Sequence, residues 1–237
     1  MASLADGLNA VVTGASRGIG LEVARALRAR GVRVAMVARS REPLEAAARE
    51  VGGTPFAADL ASVLHVERLA EQVTSLFGDA PDIVVNAAGA FSLAPVAETS
   101  VDMFDTTLAA NLRAPFVMIR TFLPRMLERR SGHIVSIGSI AGREAFPGNG
   151  AYAASKYGLR GLHEVLESEV LGTGVRVTLI EPAATDTPLW DAVDYAQHPG
   201  LPQRSQMLSA AAVAECVLFA LEIPAAVAIK YMGIERS

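Results

Sequence analysis

The sequence predicts a single α/β domain, residues 1–237, built on a doubly wound parallel sheet of about seven strands with helices on both faces. Three observations carry this expectation. Short β-branched runs alternate with longer Ala-, Leu- and Arg-rich segments. Six of the runs are near-continuously apolar over part of their length, as strands covered on both faces are. A glycine-rich turn links the first run to the first helical segment.

The expected strands are 10–13, 32–38, 55–60, 83–86, 133–137, 175–180 and 227–231. Between the first two, Leu21, Ala24, Leu27 and Arg28 recur at helical spacing. Strand–helix–strand alternation requires right-handed crossovers and a parallel sheet. Residues 186–206 form the one long irregular stretch, with Pro188, Pro199, Gly200 and Pro202. A stretch of that kind in a compact domain reads as a substrate-binding loop or lid.

Composition narrows the function. The chain is 51% hydrophobic and 5% aromatic, with 42 Ala and 20 Gly, so close helix-to-sheet packing is favoured over bulky aromatic packing. A net charge of −4 argues against a nucleic-acid partner. One cysteine, Cys216, excludes an internal disulfide framework, and its apolar helical setting reads as a small buried hydrophobe. No run of 18 uncharged apolar residues and no basic, apolar leader is seen, so no membrane span is expected and a cytoplasmic location is. His65, His133, His163 and His198 lack metal-ligand spacing, and no metal is expected.

The first chemical signal is Gly14-Ala-Ser16-Arg17-Gly18-Ile19-Gly20, placed between first strand and first helix. Glycines there allow a tight turn and close backbone approach, and the helix start offers free N–H groups to a pyrophosphate. The second strand ends in Ala38-Arg39 rather than in the acid that grips a ribose 2′-hydroxyl in NAD enzymes. Arg39 and Arg17 are placed to meet a 2′-phosphate, so NADP(H) is the expected cofactor. Asp59, followed by Leu60, is expected to end the third strand, to face the adenine amino group, and to cap the helix starting near Ser62. Asn86, Ala87 and Gly89 close the fourth strand at the switch point of the sheet.

The second signal is Tyr152-Ala-Ala-Ser-Lys156, a pair on one helix face. A chain with 4 Tyr and only two Lys (156 and 230) yields such a pair by chance roughly 0.03 times. Among 19 arginines, a retained lysine suggests work for a compact ammonium. A tyrosine has a pKa of about 10, and a cation within about 4–6 Å is expected to lower it by roughly 1–3 units. Tyr152 then serves as general acid in carbonyl reduction or as base in alcohol oxidation. Ser139 is expected to end the fifth strand, where its hydroxyl faces the cofactor crevice and can hydrogen-bond the substrate oxygen. Ser136 reads as structural, and His133 lies at the strand's far end, which disfavours a serine hydrolase.

These motifs, in this order and spacing, resemble the short-chain dehydrogenase/reductase family over about residues 8 to 190. The resemblance implies a Rossmann-type fold and a catalytic tetrad of Asn111, Ser139, Tyr152 and Lys156. It implies that Asn111 holds a water in a proton relay through Lys156, which also binds the nicotinamide ribose. It places Pro182, Thr185 and Thr187 at the nicotinamide end. The chain departs from the family at Ala87, where a second Asn is usual, and at Ala183, where Gly is usual.

The variable pocket segments bring Phe91, Phe146 and Trp190 beside Ser139 and Tyr152. They point to an apolar or aromatic ketone or aldehyde, with core packing the competing reading for Phe91 and Phe146. One alternative is a 3-oxoacyl-carrier-protein reductase, docking its carrier through Arg125, Arg129 and Arg130. Another is an NADP-binding regulator without turnover. Apolar faces on helices 101–129 and 152–171 suit a homodimer or homotetramer.

Overall fold

A computed structural model describes residues 7–196, 198 and 200–237. Seven strands form one parallel sheet in the order β3-β2-β1-β4-β5-β6-β9. Their ranges are β1 (Asn9–Thr13), β2 (Arg33–Ala38), β3 (Thr54–Ala57), β4 (Ile83–Asn86), β5 (Gly132–Ile137), β6 (Val175–Pro182) and β9 (Tyr231–Ile234). The chain winds outward from β1 to β3, then returns to place β4 on the other side of β1. That reversal opens a crevice beyond the strand ends.

Helices cover both faces because alternate strand residues point to opposite sides. Val12 packs with Leu27 of α1 (Gly18–Ala29), Leu44 of α2 (Arg41–Val51) and Val213 of α7 (Ala210–Glu222). Val11 faces the other way, to Leu69 of α3 (Val63–Phe77), Phe122 of α5 (Ala114–Glu128) and Leu166 of α6 (Gly150–Val170). The helix before α5, α4 (Val101–Leu108), runs into it through a π turn at Ala109–Arg113, where the Ala114 N–H reaches back to the Ala109 carbonyl.

Two expected strands move. The third is Thr54–Ala57, not 55–60. It is an edge strand, which tolerates Pro55, and after Ala58 bonds the Ala38 carbonyl the chain turns away. Asp59 therefore lies past the strand, and the cap of α3 is Ser62, whose hydroxyl accepts from the His65 N–H. The last strand is Tyr231–Ile234, not 227–231. A turn from Pro224 to Val227 precedes it, and Tyr231 is fixed opposite Leu179 with its ring 4.8 Å from the Arg160 guanidinium. A two-strand ladder, β7 (Thr185–Asp186) with β8 (Leu208–Ser209), was not expected and closes the base of the long loop.

Candidate active site

The strand ends, the glycine turn and the long loop enclose a cleft of about 980 Å³. At one end the turn brings main chain to main chain. Gly14 has φ +67°, and a Cβ there would lie 2.8 Å from the Ala87 carbonyl oxygen. Thr13, a residue the sequence reading passed over, fastens this junction. Its hydroxyl accepts the N–H groups of Ala87 and Ala88, each at 3.1 Å. Gly18, φ +58°, opens α1, whose first turn has no side-chain cap. Its N–H groups therefore remain available to an anion.

Ser16, Arg17, Ile19, Arg39, Asp59, Leu60 and Gly89 also line this end. Arg17 and Arg39 are exposed, and neither guanidinium has a hydrogen bond or ion pair among the described residues. The Asp59 carboxylate accepts the Ala61 N–H at 3.0 Å, a local turn. Two predicted cofactor residues stand behind the wall. Asn86 donates to the Ser136 hydroxyl at 3.2 Å inside the sheet, and Gly20 packs under the Gly14 carbonyl.

The other end holds the reactive side chains. Ser139 leads into the Ile140–Gly142 turn, and its hydroxyl accepts the Ala141 N–H at 3.2 Å. That turn is pressed against α6, since a Cβ on Gly142 would sit 2.9 Å from the Lys156 carbonyl oxygen. Close packing thus brings Ser139 within hydrogen-bonding reach of the Tyr152 hydroxyl. Lys156 lies one helical turn further on, buried, with Nζ donating to the Ile137 carbonyl at 2.8 Å and lying 5.5 Å from the Tyr152 ring centre.

Burial pushes Tyr152 up to about 12, partly opposed by the Ser139 hydrogen bond, and pushes Lys156 down to about 8. The expected lowering of the Tyr152 pKa is therefore corrected. Desolvation of the phenolate outweighs the cation, whose charge is itself desolvated and turned to a carbonyl. Tyr152 is a neutral phenol over the physiological range.

Asn111 sits in the π turn, fully buried, and its amide is already engaged. Oδ1 accepts the Ala90 N–H at 2.7 Å, and Nδ2 donates to the Ala90 carbonyl at 2.9 Å and to Ser155 at 3.0 Å. Its side chain holds the loop beside the cleft.

Pro182, Thr185 and Thr187 line the cleft beyond β6. Phe91 stands edge-on to Tyr152, ring centres 4.9 Å apart, and lies 4.9 Å from Trp190. Phe146 is 42% exposed at the same cleft, so neither phenylalanine is a core residue. Arg125, Arg129 and Arg130 lie at the opposite edge, where the strands begin. Arg129 donates to the Ala80 and Pro81 carbonyls just before β4. All three side chains have partners there, Arg125 with Asp79, Arg129 with Asp82 and Arg130 with the Gly172 carbonyl.

The crevice at the switch point of the sheet thus brings Ser139, Tyr152 and Lys156 together. The short chain dehydrogenase profile matches residues 8–197, and the chain belongs to that family, whose members bind nicotinamide cofactors and act on alcohol or carbonyl groups. The chain is 42% identical to D-threitol dehydrogenase of Mycolicibacterium smegmatis over 195 residues, 78% of this chain and 75% of that one. A metagenomic short-chain oxidoreductase solved in complex with NADP is 32% identical, with TM-score 0.83 and 98% of each chain covered. Serine dehydrogenase from Escherichia coli is 28% identical, with TM-score 0.84, covering 96% of this chain and 97% of that one. Among the described residues no helix is long and apolar enough to cross a membrane.

Proposed function

We propose that the protein is an NADPH-dependent carbonyl reductase, or alcohol dehydrogenase in reverse, for apolar or aromatic ketones and aldehydes. The observation that carries this reading is Tyr152 placed in one cleft with Ser139 and Lys156, edge-on to Phe91, which lies 4.9 Å from Trp190. The residues fit a dinucleotide. Gly14 and Gly18 leave room where side chains would intrude, and the open start of α1 suits a pyrophosphate. Unpaired Arg17 and Arg39, with no acid at Ala38, support NADPH over NADH.

When bound, the reduced nicotinamide supplies the hydride that reaches the carbonyl carbon. Ser139 and Tyr152 hydrogen-bond the carbonyl oxygen and orient it. Tyr152 then gives its proton to the oxygen, which becomes a hydroxyl. Lys156 bears on the phenolate left behind, stabilising the charge as it forms. Phe91 and Trp190 exclude water from one side. The homodimer or homotetramer is part of the proposal, supported by the exposed Phe116, Tyr157 and Val165 of α5 and α6. A single thiol, Cys216, suits a cytoplasmic setting.

The test is NADPH and NADH oxidation against aromatic and aliphatic carbonyls, with threitol and serine oxidation measured alongside. Turnover concentrated on aromatic carbonyls with NADPH is expected. A preference for threitol or serine would overturn the substrate assignment and leave the reaction class standing.

A further inference from the structure

The loop after β6 leaves at β7 and returns at β8, and the pairing of Thr185 with Leu208 and Asp186 with Ser209 closes its neck. The outgoing limb begins with the Pro188–Trp190 turn, whose cap Thr187 accepts the Leu189 N–H at 3.4 Å. The returning limb carries Arg204. Its Nη1 donates to Asp186 at 2.6 Å and to the Thr187 carbonyl at 3.0 Å, and its Nη2 donates to Asp191 at 2.5 Å. One guanidinium thus clamps both flanks of the turn that presents Trp190. From the C-terminal side, Arg236 donates to the Ser205 carbonyl and holds the returning limb.

We propose that Arg204 is a positioning residue, a salt-sensitive latch that sets Trp190 against Phe91 and so completes the wall beside Tyr152. Two features of the geometry support this. The clamp ties the carboxylates on either side of Trp190, Asp186 at the end of β7 and Asp191 beyond the turn, so its release frees the turn from the returning limb. Its side chains are also wet, at 35% exposure for Arg204, 48% for Asp186 and 66% for Asp191. Exposed pairs are weak and are screened by salt. A wall that moves to admit and release molecules needs a fastening of that strength.

The consequence for turnover rests on the cleft being the reductase site, but the latch can be tested without turnover. Trp190 is the only tryptophan, so the protein's indole emission reports this turn alone. The experiment is acrylamide quenching of the full chain at about 20 mM and about 500 mM NaCl, which span strong and weak electrostatics. In the native protein the quenching constant is expected to rise about twofold from low to high salt. Arg204→Ala should show the high value at both salts, and Arg204→Lys an intermediate one, because the fork is lost while the charge stays. Asp191→Asn should show about half the change. Equal quenching of native protein and Arg204→Ala at low salt, with no salt dependence, overturns the latch. If Arg204→Ala does not fold, Asp191→Asn and the native salt dependence decide the matter. Absence of any carbonyl turnover would sink the reductase reading and leave the quenching result intact.

Discussion

Where the strands begin, Arg129 donates to the carbonyls of Ala80, Pro81 and Ser131 and pairs with Asp82. Where the strands end, Arg17 and Arg39 face the cleft with no such partner among the described residues. At this upper edge Gly14 and Gly18 adopt positive φ and form the floor of a crevice. Arginine thus does opposite work at the two edges. A guanidinium already saturated by carbonyls holds the fold, and one left unsaturated beside a cradle is available to an anion. Charge alone does not mark a site; unmet hydrogen-bonding capacity at the strand ends does.

The largest expected effect lies at the upper edge. Tyr152→Phe should lower kcat of carbonyl reduction about a thousandfold, because the group that gives its proton to the substrate oxygen is lost while the Ser139 hydroxyl only orients that oxygen, and the Kd for NADPH stays unchanged. A stopped-flow rate within tenfold of native would remove Tyr152 as the acid. The pH profile sharpens the same point. With Lys156 pushed down to about 8, its ammonium is lost as pH rises through that value, so kcat for reduction should fall above about pH 8 and be flat below. Next in size is cofactor choice. Arg39→Asp should cut the NADPH:NADH ratio of kcat/KM by about 10–100-fold, and an unchanged ratio would mean that Arg39 does not meet the 2′-phosphate.

Much of the upper edge is legible in the sequence because it rests on local chemistry. The glycine turn is contiguous, and Tyr152 and Lys156 lie one helical turn apart in a chain nearly free of lysine. What is not legible depends on partners far away in sequence. Nothing around Asn111 says that a π turn will aim its amide at Ala90, 21 residues earlier. The Thr13 hydroxyl serves main chain 74 and 75 residues on. The register of β9 depends on Arg160 and the Ala183–Ile234 bond, so an apolar run alone misplaces it. The arginines at 125, 129 and 130 read as a basic patch only while Asp79 and Asp82 remain unplaced.

Arg129 offers the converse test at the lower edge. Arg129→Met should cost about 2–3 kcal/mol, because it strips several carbonyls of a charged donor. Thermal unfolding should show a fall of roughly 5–10 °C, with kcat/KM at 25 °C unchanged. Loss of activity in a stable Arg129→Met protein would break the division between the edges.

The smallest effect concerns two histidines beneath the cleft. His133 is buried at the start of β5, with Nε2 2.8 Å from the Thr178 hydroxyl, and burial together with the nearby Arg176 charge pushes it down to about 3. His163 is buried on α6, about 16 Å along the helix from Tyr152. Its Nε2 has no partner among the described residues, and burial pushes it down to about 4. An unfolded histidine titrates near 6.5. Below that pH the unfolded chain binds protons that the native state refuses, so stability is full above about 6.5 and declines toward about 4 and then about 3. His163→Leu removes one of the two groups. Between pH 7 and pH 5 its urea-unfolding free energy should fall by about 2 kcal/mol less than that of the native protein. Its reduction rate at pH 7 should be unchanged, since nothing at the strand ends touches residue 163. An unaltered acid dependence in His163→Leu would shift the burden to His133 and the surface carboxylates. A lost rate would show that the lower half of α6 reaches the chemistry after all.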